Sequence, residues 1–250
     1  AGLFHDLLTR RYGPRAAWMF GTISYQVNGE TMAAPNTTPE SADIFRMIGT
    51  SATRPSAIVM EASSHALQLQ RLAGLDFDLA VWTNLTQDHL DFHKTLEAYY
   101  AAKKRLFDHH MRPGGSAVIN IDDEWGKRLY EECGALTRLS FGEHQSADVR
   151  IVDWTCDWSG STLTVQMQGT PQRLTSALTG SFNRFNMAAF CAGALALGHS
   201  VSDMQATLSS VTRVPGRMER VALDAPFTVV VDYAHTPDAL SKLLATVREL

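Results

Sequence analysis

The sequence predicts an α/β fold in which helices flank a mostly parallel sheet, followed by an antiparallel β meander and the start of a second domain. Two patterns support this prediction. Short apolar runs alternate with amphipathic, helix-length segments in the first half of the chain, and residues 148–178 then form three strand-like runs joined by glycine turns. The 250 residues, 45% hydrophobic and 19% charged, are typical of a folded globular chain of one or two domains.

Four short apolar runs predict the strands of the parallel part. They are Ala17–Phe20, Ala57–Met60, residues 79–83 and residues 117–120. Helical periodicity predicts helices at residues 3–8, Ser41–Thr50, 96–111 and 124–133. Strands and helices that alternate in this way are typical of a parallel sheet. Between the first two strands, Asn28-Gly29 predicts a type I′ hairpin turn, because both residue types accept a positive φ.

The second half of the chain changes pattern. Residues 148–178 predict a three-stranded meander with turns at Gly160 and at residues 169–171, and two helices follow at 185–197 and 201–211. Pro215-Gly216 then interrupts the pattern, which predicts two domains, 1–214 and 215–250. The second domain begins with a strand at 227–231 and a helix at 237–250. Helical patterns run into both chain ends, so we expect a truncated chain.

Charge and composition exclude several classes of function. The 22 basic and 26 acidic side chains give a net charge of −4, and no basic run is long enough to bind nucleic acid. No apolar stretch approaches the roughly 20 residues that span a bilayer, so no membrane span is expected. Cys133, Cys156 and Cys191 are odd in number and far apart, which favours reduced thiols in the cytoplasm.

Polar side chains follow three of the predicted strands directly. Ligands of open parallel sheets bind beyond the carboxyl ends of the strands, so these residues are the first candidates for a site. Glu61 and Ser63 follow the strand at 57–60. The strand at 79–83 is followed by His89 and its neighbours Asp88, Asp91 and His93, and the strand at 227–231 by Asp232 and His235. A carboxylate and an imidazole from adjacent strand ends can hold a divalent cation. The alternative is structural, with Glu61 and His89 capping helices or bonding to loop backbone.

Lys103 lies on the apolar stripe of the helix predicted at 96–111. Tyr99, Tyr100, Leu106 and Phe107 define that stripe at helical spacing, whereas Lys104 points elsewhere. Burial is costly for an ammonium group and lowers a lysine pKa toward neutrality. A neutral amine can add carbon dioxide to form a carbamate, which replaces a cation by an anionic oxygen ligand. The alternative is that Lys103 extends its amino group along the tyrosines to solvent.

Three further segments offer polar groups at helix starts or near the domain boundary. Thr38 is predicted to be the N-cap of a helix that has Pro39 at its first position, and the neighbouring Asn36 and Thr37 are suited to an anionic ligand. Asn183 is interpreted as a cap, while Asn186 is suited to a base or ribose edge. Arg217 suits an anion or an inter-domain salt bridge. The sequence contains none of the common glycine-rich phosphate-loop motifs.

Seven strings in order resemble the Mur ligases. They are NTTP at 36–39, EASSHAL at 61–67, TNLTQDHLDFH at 83–93, YAAKKRLF at 100–107, GSFNRFN at 180–186, GRMER at 216–220 and VDYAHTPDAL at 231–240. The resemblance implies the family's central ATP-binding domain, truncated at its N-terminus, followed by the start of a Rossmann-like C-terminal domain. It also implies a phosphate loop ahead of Ala1, so we expect this chain alone to be inactive.

The resemblance also implies roles for individual residues. Glu61 and His89 resemble the magnesium ligands, and Lys103 the carbamylated lysine (N6-carboxylysine) that helps to place a second cation. Asn36, Thr37, Thr38, Ser63 and Arg71 resemble contacts to the muramoyl-peptide nucleotide. Asn183, Asn186, Arg217, Asp232 and His235 resemble the ATP side of the cleft. One departure is Leu69, which stands where the family often has Gln.

The activity implied is ATP-dependent amide formation in peptidoglycan precursor synthesis. The resemblance is greatest to members that add the third amino acid to UDP-N-acetylmuramoyl-L-alanyl-D-glutamate, with diaminopimelate favoured over lysine. Mg²⁺ and ATP are the expected cofactor and co-substrate, and a cytoplasmic monomer is expected. The alternatives are a dinuclear metallohydrolase with a carbamylated Lys103, a non-catalytic nucleotide-sugar binding module, and a folylpolyglutamate-type ligase.

Overall fold

The computed structural model describes residues 1–221, 223 and 225–250, and it begins with a four-stranded sheet. Helix α1 (Gly2–Tyr12) leads into β1 (Ala17–Phe20), β2 (Ser24–Val27) and β3 (Glu30–Ala33), and α2 (Ser41–Thr50) precedes β4 (Ala57–Met60). The strand order is β3-β2-β1-β4. Strands β1 and β4 are parallel, whereas β2 and β3 are antiparallel to their neighbours. The carboxyl ends of β1 and β4 therefore lie side by side, at the same end of this sheet.

A six-stranded sheet follows, with the order β10-β9-β8-β7-β6-β5. Its strands are β5 (Phe77–Trp82), β6 (Met111–Asn120), β7 (Thr137–Gly142), β8 (Val149–Asp157), β9 (Gly160–Met167) and β10 (Thr170–Ser176). The helices before and between them are α3 (Ser64–Gln68), α4 (Leu90–His93), α5 (Leu96–His109) and α6 (Glu124–Glu132). Strands β5 to β8 pair in parallel, and β8 to β10 form the antiparallel meander.

The last part of the chain contains α7 (Asn183–Ala196), α8 (Val201–Ser210), β11 (Glu219–Val221), β12 (Val229–Val231) and α9 (Pro237–Glu249). Strands β11 and β12 form a separate antiparallel pair. The Ser181 and Thr246 hydroxyl oxygens are 3.1 Å apart, so α9 contacts the loop that precedes α7. No helix in the described part of the chain has both the length and the apolarity needed to cross a membrane.

Helix α7 is buried against the larger sheet and against α1. Gly193 makes this packing possible, because a Cβ added there would lie 2.4 Å from the Phe4 ring and 3.1 Å from Leu79. Phe4 also meets Phe190 edge to face, with 5.4 Å between ring centroids. The alanine and glycine residues of this helix therefore bring α1, α7 and β5 close together.

The predicted fold class is confirmed, and several elements match closely. Ala17–Phe20, Ser41–Thr50 and Ala57–Met60 have the predicted bounds. Asn28 and Gly29 have φ values of 56° and 81°, as a type I′ turn requires. The predicted parallel strands divide between two sheets. Strand β7 was not predicted, because its sequence TRLSFG contains only two large apolar side chains and is recognised as a strand only between β6 and β8.

Gly126 in α6 should not tolerate a side chain. A Cβ there would lie 2.0 Å from the Asn120 carbonyl oxygen, whereas at Gly49 in α2 it would meet nothing within 4 Å. We expect Gly126→Ala to lower the free energy of unfolding by about 2–3 kcal/mol, through overpacking. Gly49→Ala should raise it by about 0.5–1 kcal/mol, because alanine favours the helix. Urea unfolding measures both changes, and equal effects would contradict the close approach of α6 to Asn120.

Candidate active site

Glu61 is held at the ends of two paired strands. Phe20 and Met60 are opposite each other in the parallel β1–β4 ladder, and the Glu61 N–H donates to the Phe20 carbonyl at 2.9 Å. Thr22 approaches from the end of β1, and both its backbone N–H (3.0 Å) and its hydroxyl (2.6 Å) donate to Glu61 Oε2.

Thr38 does not cap α2, so that prediction was wrong. The N-cap of α2 is Glu40, without a side-chain cap hydrogen bond. The buried Thr38 hydroxyl instead donates to the Glu61 carbonyl at 2.6 Å and accepts from the Ser63 N–H at 3.0 Å. Propensity favoured the local cap, but the neighbouring strand end supplies a buried carbonyl that needs a donor. Residues 36–38 are therefore attached to the segment that carries Glu61.

The other predicted substrate contacts lie near this attachment. The Asn36 carbonyl accepts from the Tyr25 hydroxyl at 2.5 Å, and the Thr37 and Thr22 hydroxyl oxygens are 3.2 Å apart. Arg71 Nε lies 3.0 Å from Glu40 Oε1, and the Arg71 carbonyl accepts from the first N–H of α2 at 2.8 Å. Ser63 caps α3 by accepting from the Ala66 N–H at 3.2 Å. These contacts connect the loop before α2 with the two ends of α3.

A cluster of aromatic and histidine rings connects α3 to the loop that carries His89. His65 in α3 lies 4.9 Å from His89 and 5.6 Å from His93, measured between ring centroids. His93 stacks on Tyr99 at 5.1 Å, and its Nε2 lies 2.9 Å from the Ser64 hydroxyl. Ser64 and His93 are both buried, so each depends on the other for this hydrogen bond. Ser64 and His65 were predicted only as part of a sequence string.

His89 has a left-handed backbone, with φ 53°, and Asp88 stabilises this turn. Asp88 accepts from the His89 N–H at 2.7 Å, and its other oxygen lies 3.6 Å from His89 Nε2. A non-glycine residue in this conformation is uncommon and needs such local hydrogen bonds. The half-exposed His89 ring therefore has a carboxylate beside it.

Lys103 and Lys104 are neighbours in sequence but have opposite environments. Lys103 Nζ lies over the Tyr99 ring, 5.2 Å from its centroid, and burial lowers the pKa of this amine despite the opposing charges of Asp88 and Asp123. Lys104 donates to Asp108 at 2.8 Å, and this hydrogen bond raises the pKa of Lys104. The Lys103 amine on the apolar stripe is thus desolvated, whereas the Lys104 amine off the stripe is ion-paired.

The donor set at this edge suits a hard divalent cation. Carboxylate oxygens are the ligands that Mg²⁺ prefers. Glu61 presents its carboxylate beside Thr22, and Asp88 presents one beside the His89 imidazole. Among the residues that the structure describes, however, no three His, Cys, Asp or Glu side chains are grouped as a complete metal site. A shared site formed by Glu61, His89 and Lys103 remains a prediction.

The predicted nucleotide contacts form two groups. Asn183 is the first residue of α7 rather than its cap, which is Phe182. The buried Asn183 amide donates to the Thr179 carbonyl at 2.7 Å and accepts from the Asn186 side chain at 2.9 Å. In the second group, Asp232 accepts from the Met218 and Ala234 N–H groups, both at 2.8 Å.

The remaining two predicted nucleotide contacts belong to that second group. The Arg217 guanidinium lies over the Tyr233 ring, 5.6 Å from its centroid, and His235 Nδ1 lies 2.9 Å from the Tyr233 carbonyl. Both side chains are exposed. Asp232 thus orders the turn, while Arg217 and His235 remain accessible from solvent.

Comparison with known proteins identifies the domains. Residues 3–194 match the Mur ligase middle domain, and residues 216–250 match the Mur ligase, glutamate ligase domain. A UDP-N-acetylmuramoyl-L-alanyl-D-glutamate--2,6-diaminopimelate ligase of Geobacter metallireducens is 42% identical over 93% of this chain and 46% of its own length. The enzyme of the same name from Bacillus velezensis is 37% identical over 94% of this chain and 49% of its own length. The chain spans about half the length of these curated relatives.

Solved structures agree with this assignment. A structure of a diaminopimelate ligase with the same name as these relatives superposes with a TM-score of 0.81 at 30% identity, covering 99% of this chain and 50% of that one. The S73A mutant of L. casei FPGS shares the fold alone, with a TM-score of 0.66 at 15% identity over 99% of this chain and 69% of that one. The chain belongs to the Mur ligase family.

Acid should destabilise this fold through four histidines that are wholly or partly buried. Burial lowers the pKa of His5, His65, His93 and His199 below 6.5. As the pH falls through 6.5 the unfolded chain therefore binds more protons than the folded chain, and the free energy of unfolding should decrease as the pH drops below about 7.5. His93→Gln, which retains a hydrogen-bonding partner for Ser64, should make the fall shallower in urea titrations. The exposed control His109→Gln should keep the parent slope, and an unchanged slope in His93→Gln would contradict the prediction.

Proposed function

We propose that this chain carries the reaction centre of a ligase of peptidoglycan precursor synthesis, which adds meso-diaminopimelate to UDP-N-acetylmuramoyl-L-alanyl-D-glutamate at the expense of ATP. The observation that carries the proposal is the attachment of residues 36–38 to Glu61 and Ser63 through the buried Thr38 hydroxyl. It brings the predicted substrate segment to the carboxylate predicted to bind metal. Relatives that are 37–42% identical bear the name of this activity. A metallohydrolase or a folylpolyglutamate-type ligase is not favoured.

The reaction joins a carboxylate to an amine through an activated intermediate. The substrate carboxylate attacks the γ-phosphorus of ATP and ADP leaves, which gives an acyl phosphate. The diaminopimelate amine then attacks the acyl carbon, loses a proton and expels phosphate. Negative charge collects on crowded oxygens in both steps, so positioned hydrogen-bond donors and cations provide most of the stabilisation. Bound Mg²⁺ would neutralise the phosphate oxygens.

Each predicted residue has a distinct part in this proposal. Glu61 and His89 hold the cation, and Arg71 and the Ser63 hydroxyl bind anionic or carbonyl oxygens of the muramoyl peptide beside Asn36 and Thr37. The Asn183–Asn186 pair orients the nucleotide, while Arg217, Asp232 and His235 serve its phosphate and ribose side. We further propose a domain division at 214/215 and a cytoplasmic location, where ATP is available and Cys133 and Cys191, both buried thiols, stay reduced.

We also propose that Lys103 is carbamylated, as its resemblance to the family's modified lysine implies, and the environment of its amine supports this proposal. Because burial lowers the pKa of Lys103, a larger fraction of the amine is neutral at physiological pH than in a solvated lysine. The neutral nitrogen attacks carbon dioxide and loses one proton, and the resulting carbamate carries a negative charge. That anion is better suited than an ammonium group to a position near His89, where cations are expected.

Glu61 is the most direct test of the ligase proposal. In the intact natural protein, we expect Glu61→Gln to reduce ligase kcat/KM by at least about 100-fold, because a neutral amide holds a divalent cation poorly. The assay measures phosphate release that depends on both the muramoyl dipeptide and diaminopimelate, with lysine as the competing amine. Glu30→Gln, an exposed change on β3, serves as the matched control. Wild-type activity in Glu61→Gln would contradict the assigned role.

The carbamate at Lys103 has its own test. With ¹³C-bicarbonate, the intact protein should show a carbamate carbon resonance that Lys103→Ala abolishes and Lys104→Ala retains. Intact mass under native conditions provides a second readout. An unmodified Lys103 amine at physiological bicarbonate concentration would refute the carbamate while leaving the ligase assay unaffected.

A further inference from the structure

Thr22 is the residue that donates hydrogen bonds to the Glu61 carboxylate in the described part of the chain, yet no sequence pattern identified it. Thr22 lies two positions after the end of β1, Glu61 directly follows β4, and these strands are paired in parallel. All hydrogen bonds that the described residues make to the Glu61 carboxylate come from Thr22, and both end on Oε2. Oε1 is therefore left to bind a further group.

Glycine precedes Thr22 for a steric reason. A Cβ at residue 21 would lie 3.3 Å from both Cδ and Oε1 of Glu61, a tighter contact than most side chains tolerate. Without a side chain at Gly21, the carboxylate can lie against the β1 backbone and reach the Thr22 N–H. Gly21 thus provides the space, and Thr22 the hydrogen-bond donors, that hold the Glu61 carboxylate in place.

The directions of the Thr22 and Thr37 hydroxyl protons follow from counting hydrogen-bond donors. A carboxylate only accepts, so the single Thr22 hydroxyl proton must point to Glu61 Oε2. The 3.2 Å contact between the Thr22 and Thr37 hydroxyls then requires Thr37 to be the donor. Thr37 retains only acceptor capacity toward a ligand, which suits an amide N–H or a hydroxyl of the substrate.

We propose that Thr22 is a positioning residue, which fixes the orientation of the Glu61 carboxylate for cation binding and links it to the substrate segment through Thr37. This inference rests on the proposed function, because Glu61 is the proposed metal ligand. A free glutamate side chain samples several rotamers, and its two hydrogen bonds to Thr22 restrict it to one before the cation arrives. Loss of such a supporting group usually weakens metal binding by about 10- to 100-fold.

The test measures Mn²⁺ affinity by electron paramagnetic resonance in the intact natural protein, without ATP. We expect Thr22→Val to weaken Mn²⁺ binding about tenfold, because the backbone N–H remains but the hydroxyl donor is lost. Thr22→Ser keeps the donor and should bind within about twofold of wild type. Thr31→Val changes an exposed threonine on β3, which β2 and β1 separate from β4, and should have no effect. Thermal unfolding checks that all variants are folded.

Crystal structures of wild type and Thr22→Val give a second readout that does not depend on metal. We expect the Glu61 carboxylate to leave its present orientation in Thr22→Val and to keep it in Thr22→Ser. An unchanged carboxylate, unchanged Mn²⁺ affinity in folded Thr22→Val, or an equal loss in Thr22→Ser would each overturn the proposal. If the Mn²⁺ affinities and the crystal structures agree with these expectations but the ligase assay shows no activity, the proposed reaction is rejected and the role of Thr22 is retained.

Discussion

The candidate site depends on the parallel pairing of β1 with β4. In a parallel pair the two carboxyl ends meet at one edge, so the residues that follow Phe20 and Met60 become neighbours although about 40 residues separate them in sequence. The ladder continues through the Glu61 N–H and ends with Thr22 bound to the Glu61 carboxylate. A shift of this register by one residue would move Glu61 away from Gly21 and remove both hydrogen bonds.

Helix α3 extends this edge toward the second sheet. Its cap Ser63 connects to Thr38, Ser64 to His93, and His65 to the ring of His89. Three of these partners, Thr38, Ser64 and His93, are buried polar groups, and each would be costly without its hydrogen bond. Five residues of helix therefore link the substrate segment, the predicted metal ligands and the helix that carries Lys103.

Errors in the sequence predictions share a physical cause. Thr38 has the right chemistry for a cap, but its hydroxyl donates instead to the Glu61 carbonyl, which follows a strand that is distant in sequence. Asn183 likewise bonds to Asn186 and Thr179 within and before the helix instead of capping it. In both cases the local sequence offers a helix N–H as the hydrogen-bonding partner, and the folded chain provides a different partner for the same side chain. Lys103 shows the opposite behaviour, since helical spacing alone predicted that it would differ from Lys104, and their pKa values shift in opposite directions.

The sequence by itself determined the elements whose signal is local. Apolar runs set β1 and β4, Asn28-Gly29 set the hairpin turn, and the α5 periodicity separated Lys103 from Lys104, because each depends on neighbours within a few residues. Only the tertiary structure decided which strand ends meet, and thus that Thr22 holds Glu61, that Thr38 joins two segments and that Ser64 meets His93. Those contacts join residues between 23 and 39 positions apart, and hydrogen bonds over such separations form only when the strands and helices have packed.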